Sequence, residues 1–141
     1  MKNRVMFICT GNSCRSQMAE GYMRALYPSW EVYSAGTSPV GINPRAVAVM
    51  LEDGVDISHQ TSDSIDPGLL ARMTLAVTLC GDARETCPLT PASVTRLHWP
   101  LSDPAKATGT EEEVMAEFRR TRDEIRRRVE ELGRSTVSRP S

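Results

Sequence analysis

Arg4-Val5-Met6-Phe7-Ile8-Cys9-Thr10-Gly11-Asn12-Ser13-Cys14-Arg15-Ser16-Gln17-Met18-Ala19-Glu20-Gly21 is the stretch on which the fold turns. Residues 4–9 are short, mostly apolar and bounded by a glycine-containing loop, which reads as a buried strand. Residues 16–27 place Met18, Tyr22, Ala25 and Leu26 on one helical face, and Pro28 stops that helix. A strand that feeds a helix through one tight loop is the opening unit of an α/β sheet.

The rest of the chain repeats the alternation. Trp30 to Ser34 reads as a second strand, ended by Gly36. Asn43-Pro44 has the form of an N-cap followed by proline at the first helical position, and the helix after it is expected to bury Val47, Met50 and Leu51. Residues 55–66 read as loop and Pro67 to Met73 as a short helix. Leu75 to Leu79 suits a strand covered on both faces, and Val94 to His98 a fourth strand. The stretch from Pro100 to Gly109 reads as loop. Val114, Phe118, Ile125, Val129 and Leu132 keep helical spacing over 111–132, with Gly133 as its expected C-cap. The fold expected is a four-stranded parallel α/β sheet with helices on both faces. One domain is expected over 1–133, with a disordered tail over 134–141.

Bulk properties narrow the function. The chain has 141 residues, 40% hydrophobic and 25% charged, with a net charge of −1. No basic excess points to nucleic acid, and no stretch is long and apolar enough to span a membrane. No signal peptide is legible, so a cytoplasmic location is expected; a monomer is expected as well. In such a reducing compartment Cys9, Cys14, Cys80 and Cys87 are poor candidates for permanent bridges, which leaves catalysis, redox cycling or metal binding. The arginines at 119, 120, 122, 126, 127 and 128 are outnumbered by acids on the same segment. They read as a solvated helix face, with Asp123–Arg127 and Glu124–Arg128 at pairing distance. His59 and His98 read as packing or surface residues and Trp99 as core.

The loop after the first strand carries the chemistry. The backbone N–H groups of Thr10, Gly11, Asn12, Ser13, Cys14, Arg15 and Ser16 open onto a helix N-terminus, the arrangement that holds an oxyanion. Gly11 lets the backbone turn, and Asn12 tolerates left-handed geometry. Arg15 supplies a fork for two oxygens of one anion. The helix dipole and Arg15 favour the thiolate of Cys9, and the Ser16 hydroxyl adds to this. Cys9 is therefore read as a nucleophile toward a tetrahedral oxyanion. Cys14 is read as packing.

The distal cysteines are seven positions apart. In a continuous helix Cys80 and Cys87 would have Cα atoms roughly 10 Å apart, too far for a disulfide. They pair only if the segment unwinds; otherwise they are two unrelated thiols. Zinc is a weaker alternative, since neither Cys9/Cys14 nor Cys80/Cys87 has short ligand spacing.

Cys9 to Ser16 fits the Cys-five-residues-Arg-Ser/Thr signature of protein tyrosine phosphatases. The wider run Ile8 to Gly21 resembles the low-molecular-weight phosphatase superfamily, and within it the thioredoxin-coupled arsenate reductases, over about residues 4–130. The resemblance implies a relay in which Cys9 attacks arsenate, Cys80 forms a disulfide with Cys9, and Cys87 moves that disulfide to Cys80–Cys87 for thioredoxin to reduce. Phosphate or sulfate would compete for the loop. It also implies Asp103, in Asp103-Pro104, as general acid, and a potassium ion at Asn12, Glu20, Ser34 and Asp63. Apart from that ion, no tightly bound cofactor is expected.

The chain departs from the phosphatase pattern at Gln17, where proline is usual, and at Ala105, where an aromatic is usual. Both favour reductase over phosphatase. His59-Gln60 and a long stretch after Pro104 depart from the reductase pattern as well. Three functions compete: arsenate reductase, low-molecular-weight tyrosine phosphatase and a non-catalytic oxyanion-binding module.

Overall fold

The computed structural model describes residues 3–81 and 91–138, the last three by backbone alone. The elements are β1 (Arg4–Cys9), α1 (Arg15–Leu26), β2 (Glu31–Gly36), α2 (Pro44–Glu52), α3 (Pro67–Ala71), β3 (Leu75–Cys80), β4 (Thr95–Leu101), a 3-10 turn (Pro104–Lys106) and α4 (Glu111–Ser138). The strands form one sheet in the order β2-β1-β3-β4, parallel throughout. This is the expected architecture. Among the described residues no helix is long and apolar enough to cross a membrane.

Strand alternation divides the core in two. Val5, Phe7, Cys9, Leu75, Val77 and Leu79 face α1, α2 and α4 in the larger cluster, where Phe7 meets Trp99 at a ring-centroid distance of 5.9 Å. Met6, Ile8, Ala35 and Ala76 face the other way and are covered by Leu70 and Met73 around α3. The chain leaves β1 toward β2 on one side, then returns to β3 on the other. The carboxyl ends of β1 and β3 therefore flank the switch point where open α/β sheets bind ligands. Cys9 ends one of these strands and Cys80 the other.

Several expected details differ. The buried face of α1 is Met18, Ala19, Tyr22 and Met23, while Ala25 and Leu26 are exposed. On α2 the buried residues are Ala46, Val49 and Met50, whereas Leu51 is 53% exposed. Both helices have more than one apolar stripe, and the neighbouring helices choose between them. β4 continues to Leu101 through Pro100. It is an edge strand, so the missing proline N–H need not remove a ladder bond.

α4 does not stop at Gly133. It runs through that residue to Ser138, so part of the expected tail is helical. A Cβ on Gly133 would fall inside the ring of Tyr27, whose hydroxyl donates to the Glu130 carbonyl at 3.0 Å. Gly133 is a packing glycine, not a cap. The α4 arginines also do more than solvate a face. Arg119 and Arg122 hold Glu52 at 2.9 and 2.7 Å, and Arg126 holds Asp53 at 2.7 Å. Arg122 further donates to the Val49 carbonyl in the last turn of α2. Of the two expected pairs within α4, Glu124–Arg128 forms at 2.9 Å, while Asp123 takes Arg122 instead.

Candidate active site

Cys9 is buried at the end of β1, with its sulfur 2.9 Å from the Ser16 hydroxyl oxygen. Asn12 Nδ2 donates to that same oxygen at 2.7 Å. With its oxygen accepting from Asn12, the hydroxyl has its own hydrogen to direct at the sulfur, an arrangement suited to an anionic nucleophile.

The loop is fastened from outside. The carbonyl of Thr10 accepts from Ser38 N, that of Gly11 from Val40 N, and that of Ser13 from Asn43 N, at 2.9, 3.0 and 3.2 Å. The Asn12 carbonyl accepts from Gln17 Nε2 at 3.0 Å and from the Ser62 hydroxyl at 2.9 Å. In a planar trans peptide the next N–H points opposite to the carbonyl. Carbonyls held outward thus leave N–H groups to line an anion-binding hollow. Asn12 has a φ of 44°, and it is the only non-glycine residue with positive φ among the described residues. The left-handed position is therefore Asn12 itself, not Gly11. Its side-chain oxygen accepts from Asp63 N at 2.8 Å.

Arg15 is 1% exposed. One of its terminal nitrogens, Nη1, donates to two strand-end carbonyls, Leu79 at 3.1 Å and Leu101 at 2.8 Å. The other, Nη2, lies 3.8 Å from Asp103 Oδ2. Asp103 uses its other oxygen to cap the 3-10 turn, accepting from Ala105 N at 3.0 Å. A carboxyl group thus stands beside the Arg15 guanidinium, at the mouth of the loop that Cys9 opens. Cys14 is buried, and burial first, then the charge of Asp103, pushes its thiol up to about 12. It stays neutral at physiological pH, in keeping with a packing role.

Cys80 is buried, like Cys9 and Cys14. Ile8 pairs with Thr78, so Cys9 stands level with Leu79 and one residue short of Cys80. Strand spacing then puts the Cys9 and Cys80 Cα atoms about 6 Å apart, within the span of a disulfide. Alternation aims the two side chains at opposite faces, so the end of β3 must turn before the sulfurs meet. Cys87 lies outside the described residues.

The residues expected to hold potassium form two pairs, Asn12 with Asp63 and Glu20 with Ser34, the latter at 2.5 Å. The remaining Glu20 oxygen is bound by Arg24 at 2.9 Å, and Arg24 also donates to the Val32 carbonyl at 2.6 Å. A guanidinium already neutralises this carboxylate. Asn12 Oδ1, both Glu20 oxygens and the Ser34 hydroxyl thus each have a partner within the protein.

His98 meets Thr78 across β3 and β4 at 2.7 Å, and Trp99 is core, as expected. Sequence reasoning missed three parts of the site. The Leu79 and Leu101 carbonyls are backbone groups and carry no side-chain signal. Ser62 lies fifty positions from the loop it braces. Gln60, noted only as a departure, donates to the Gln17 side chain at 2.7 Å.

The model of the low molecular weight phosphotyrosine protein phosphatase family matches residues 4–139. An arsenate reductase of Bacillus licheniformis is 57% identical over 91% of this chain and 93% of its own. A solved arsenate reductase in a phosphate-binding state superimposes with a TM-score of 0.78 at 38% identity, covering 94% of this chain and 96% of that one. A thioredoxin-dependent arsenate reductase of Corynebacterium glutamicum gives a TM-score of 0.72 at 29% identity, over 98% of this chain and 64% of its own.

Proposed function

Because the chain belongs to the low molecular weight phosphotyrosine protein phosphatase family, we propose that its oxyanion loop serves a thioredoxin-coupled arsenate reductase. The names of its close relatives support the substrate. The observation that favours reduction over hydrolysis is Cys80, a second buried cysteine ending the strand next to the one that ends in Cys9.

Arsenate enters the loop, where backbone N–H groups and Arg15 hold its oxygens. The Cys9 thiolate attacks arsenic. Asp103 protonates the departing oxygen, which leaves as water. The Cys80 thiolate then attacks the Cys9 sulfur. The sulfur–arsenic electron pair goes to arsenic, arsenic(V) becomes arsenic(III), and arsenite leaves behind a Cys9–Cys80 disulfide. Cys87, the third thiol implied by the family resemblance, attacks Cys80 and frees Cys9. Thioredoxin, with a potential of about −270 mV, is a suitable donor for the resulting Cys80–Cys87 disulfide.

The test is arsenate-dependent NADPH oxidation in the presence of thioredoxin and its reductase. Wild type is expected to sustain it and Cys80→Ser to abolish it. Steady hydrolysis of an aryl phosphate, with no arsenate-dependent oxidation, would identify a phosphatase instead. Absence of both activities would leave an oxyanion-binding module.

A further inference from the structure

Gly81, the residue after Cys80, closes a junction between the two halves of the site. The register of β3 and β4 shifts between Thr78 and Cys80, which brings Cys80 opposite Leu101. A Cβ on Gly81 would fall well inside contact distance of the backbone N, C and O of Leu101. Those atoms belong to backbone and cannot swing aside as a flexible side chain can. The Leu101 carbonyl is the shorter of the two acceptors that orient Arg15 Nη1, at 2.8 Å. Two residues further on is Asp103, which faces Nη2 of the same guanidinium.

We infer that Gly81 is a positioning residue for the anion site: its missing side chain lets β3 close on Leu101, and the Leu101 carbonyl then sets the guanidinium of Arg15. With Nη1 engaged by carbonyls, the edge that can meet an anion is Nε with Nη2. The direction of that edge depends on where Leu101 sits. The Cys80 end of β3 and the oxyanion loop are thereby joined through a single residue with no side chain. The inference rests on the proposed role of Arg15 in holding the oxyanion.

The test uses the full chain, fully reduced, with inorganic phosphate as the probe. Gly81→Ala is expected to raise the phosphate Kd at least about tenfold, since small displacements of a positioning group cost one to two orders of magnitude. The far-ultraviolet circular dichroism should be unchanged. The 15N resonances of the Arg15 guanidinium should differ from those of wild type before any phosphate is added, which a distant loss of stability would not produce. Wild-type affinity, or unchanged guanidinium resonances, would overturn the inference.

Wild-type protein gives a second readout should the variant not fold. Phosphate should shift the amide signals of Gly81 and Leu101 with the same Kd as those of residues 10–16, and silence at both positions would overturn the inference. Phosphate binding requires no arsenate chemistry. A chain that does not reduce arsenate but loses phosphate in Gly81→Ala contradicts the proposed reductase alone. Sustained arsenate reduction with unaltered phosphate binding contradicts the role of Gly81 alone.

Discussion

Asn12 occupies the left-handed region at a φ of 44°, where a side chain other than glycine is strained by about 1 kcal/mol or more. The strain is offset by what that conformation aligns: a donor to Ser16, an acceptor for Asp63 N, and a carbonyl for Gln17 and Ser62. Asn12→Ala keeps the strain and loses both side-chain bonds, so it should cost about 3 kcal/mol in thermal or denaturant unfolding. Asn12→Gly should recover about 1 kcal/mol of that, because glycine adopts positive φ freely. Both variants should bind phosphate more weakly, since both lose the bond to Ser16. Equal stability of the alanine and glycine variants would show that the backbone conformation carries no cost. The sequence showed that Asn12 tolerates this geometry, because the residue type itself limits where the backbone can go. It did not show the partner at 62, since nothing in local spacing reports a contact fifty positions away, and Asp63 is brought beside Asn12 only by the family resemblance.

Helix α4 shows the same limit on a larger scale. Its apolar spacing is legible to Leu132, and a glycine next in line has the form of a C-cap. The structure uses Gly133 to admit the Tyr27 ring. The two readings differ in the sign of one substitution. By helix propensity alone Gly133→Ala would stabilise an interior helical position by about 1 kcal/mol. By packing, the added methyl meets an aromatic ring and should destabilise by about 2 kcal/mol. Denaturant unfolding decides, and a stabilised variant would contradict the packing of Tyr27. Tyr27→Phe should cost only about 1 kcal/mol, the loss of its bond to the Glu130 carbonyl. The buried faces of α1 and α2 differ from those expected for a related reason: Ala25, Leu26 and Leu51 are apolar, and only the neighbouring elements determine which apolar stripe is buried. The strands are more fully legible, because a short apolar run between turn residues has few other places to go.

Across the whole molecule, three helices meet at Asp53, just past the end of α2. Tyr22 of α1 donates to it at 2.7 Å and Arg126 of α4 holds it at 2.7 Å. Those two hydrogen bonds, Tyr22 first, hold its carboxyl below the usual carboxylate range. The stabilisation is full above the unfolded value of about 4 and disappears as pH falls through the lower folded value. Wild type should therefore exceed Asp53→Asn in Tm at neutral pH, and the difference should shrink below about pH 4. A constant difference down to pH 2 would mean that this charge does not join the helices. The same fold-level arrangement, adjacent parallel strands ending at a switch point, brings Cys9 and Cys80 to one end of the sheet. That proximity is legible in the sequence only through the family resemblance and the topology, since the two thiols stand far apart in sequence and the turn needed at the end of β3 has no sequence mark beyond Gly81. On the proposed relay, this second thiol makes the chemistry a reduction. The direct measurement is arsenite released by prereduced protein given arsenate and no external reductant. Wild type should release one arsenite per chain and Cys80→Ser none; equal release from both would contradict the claim.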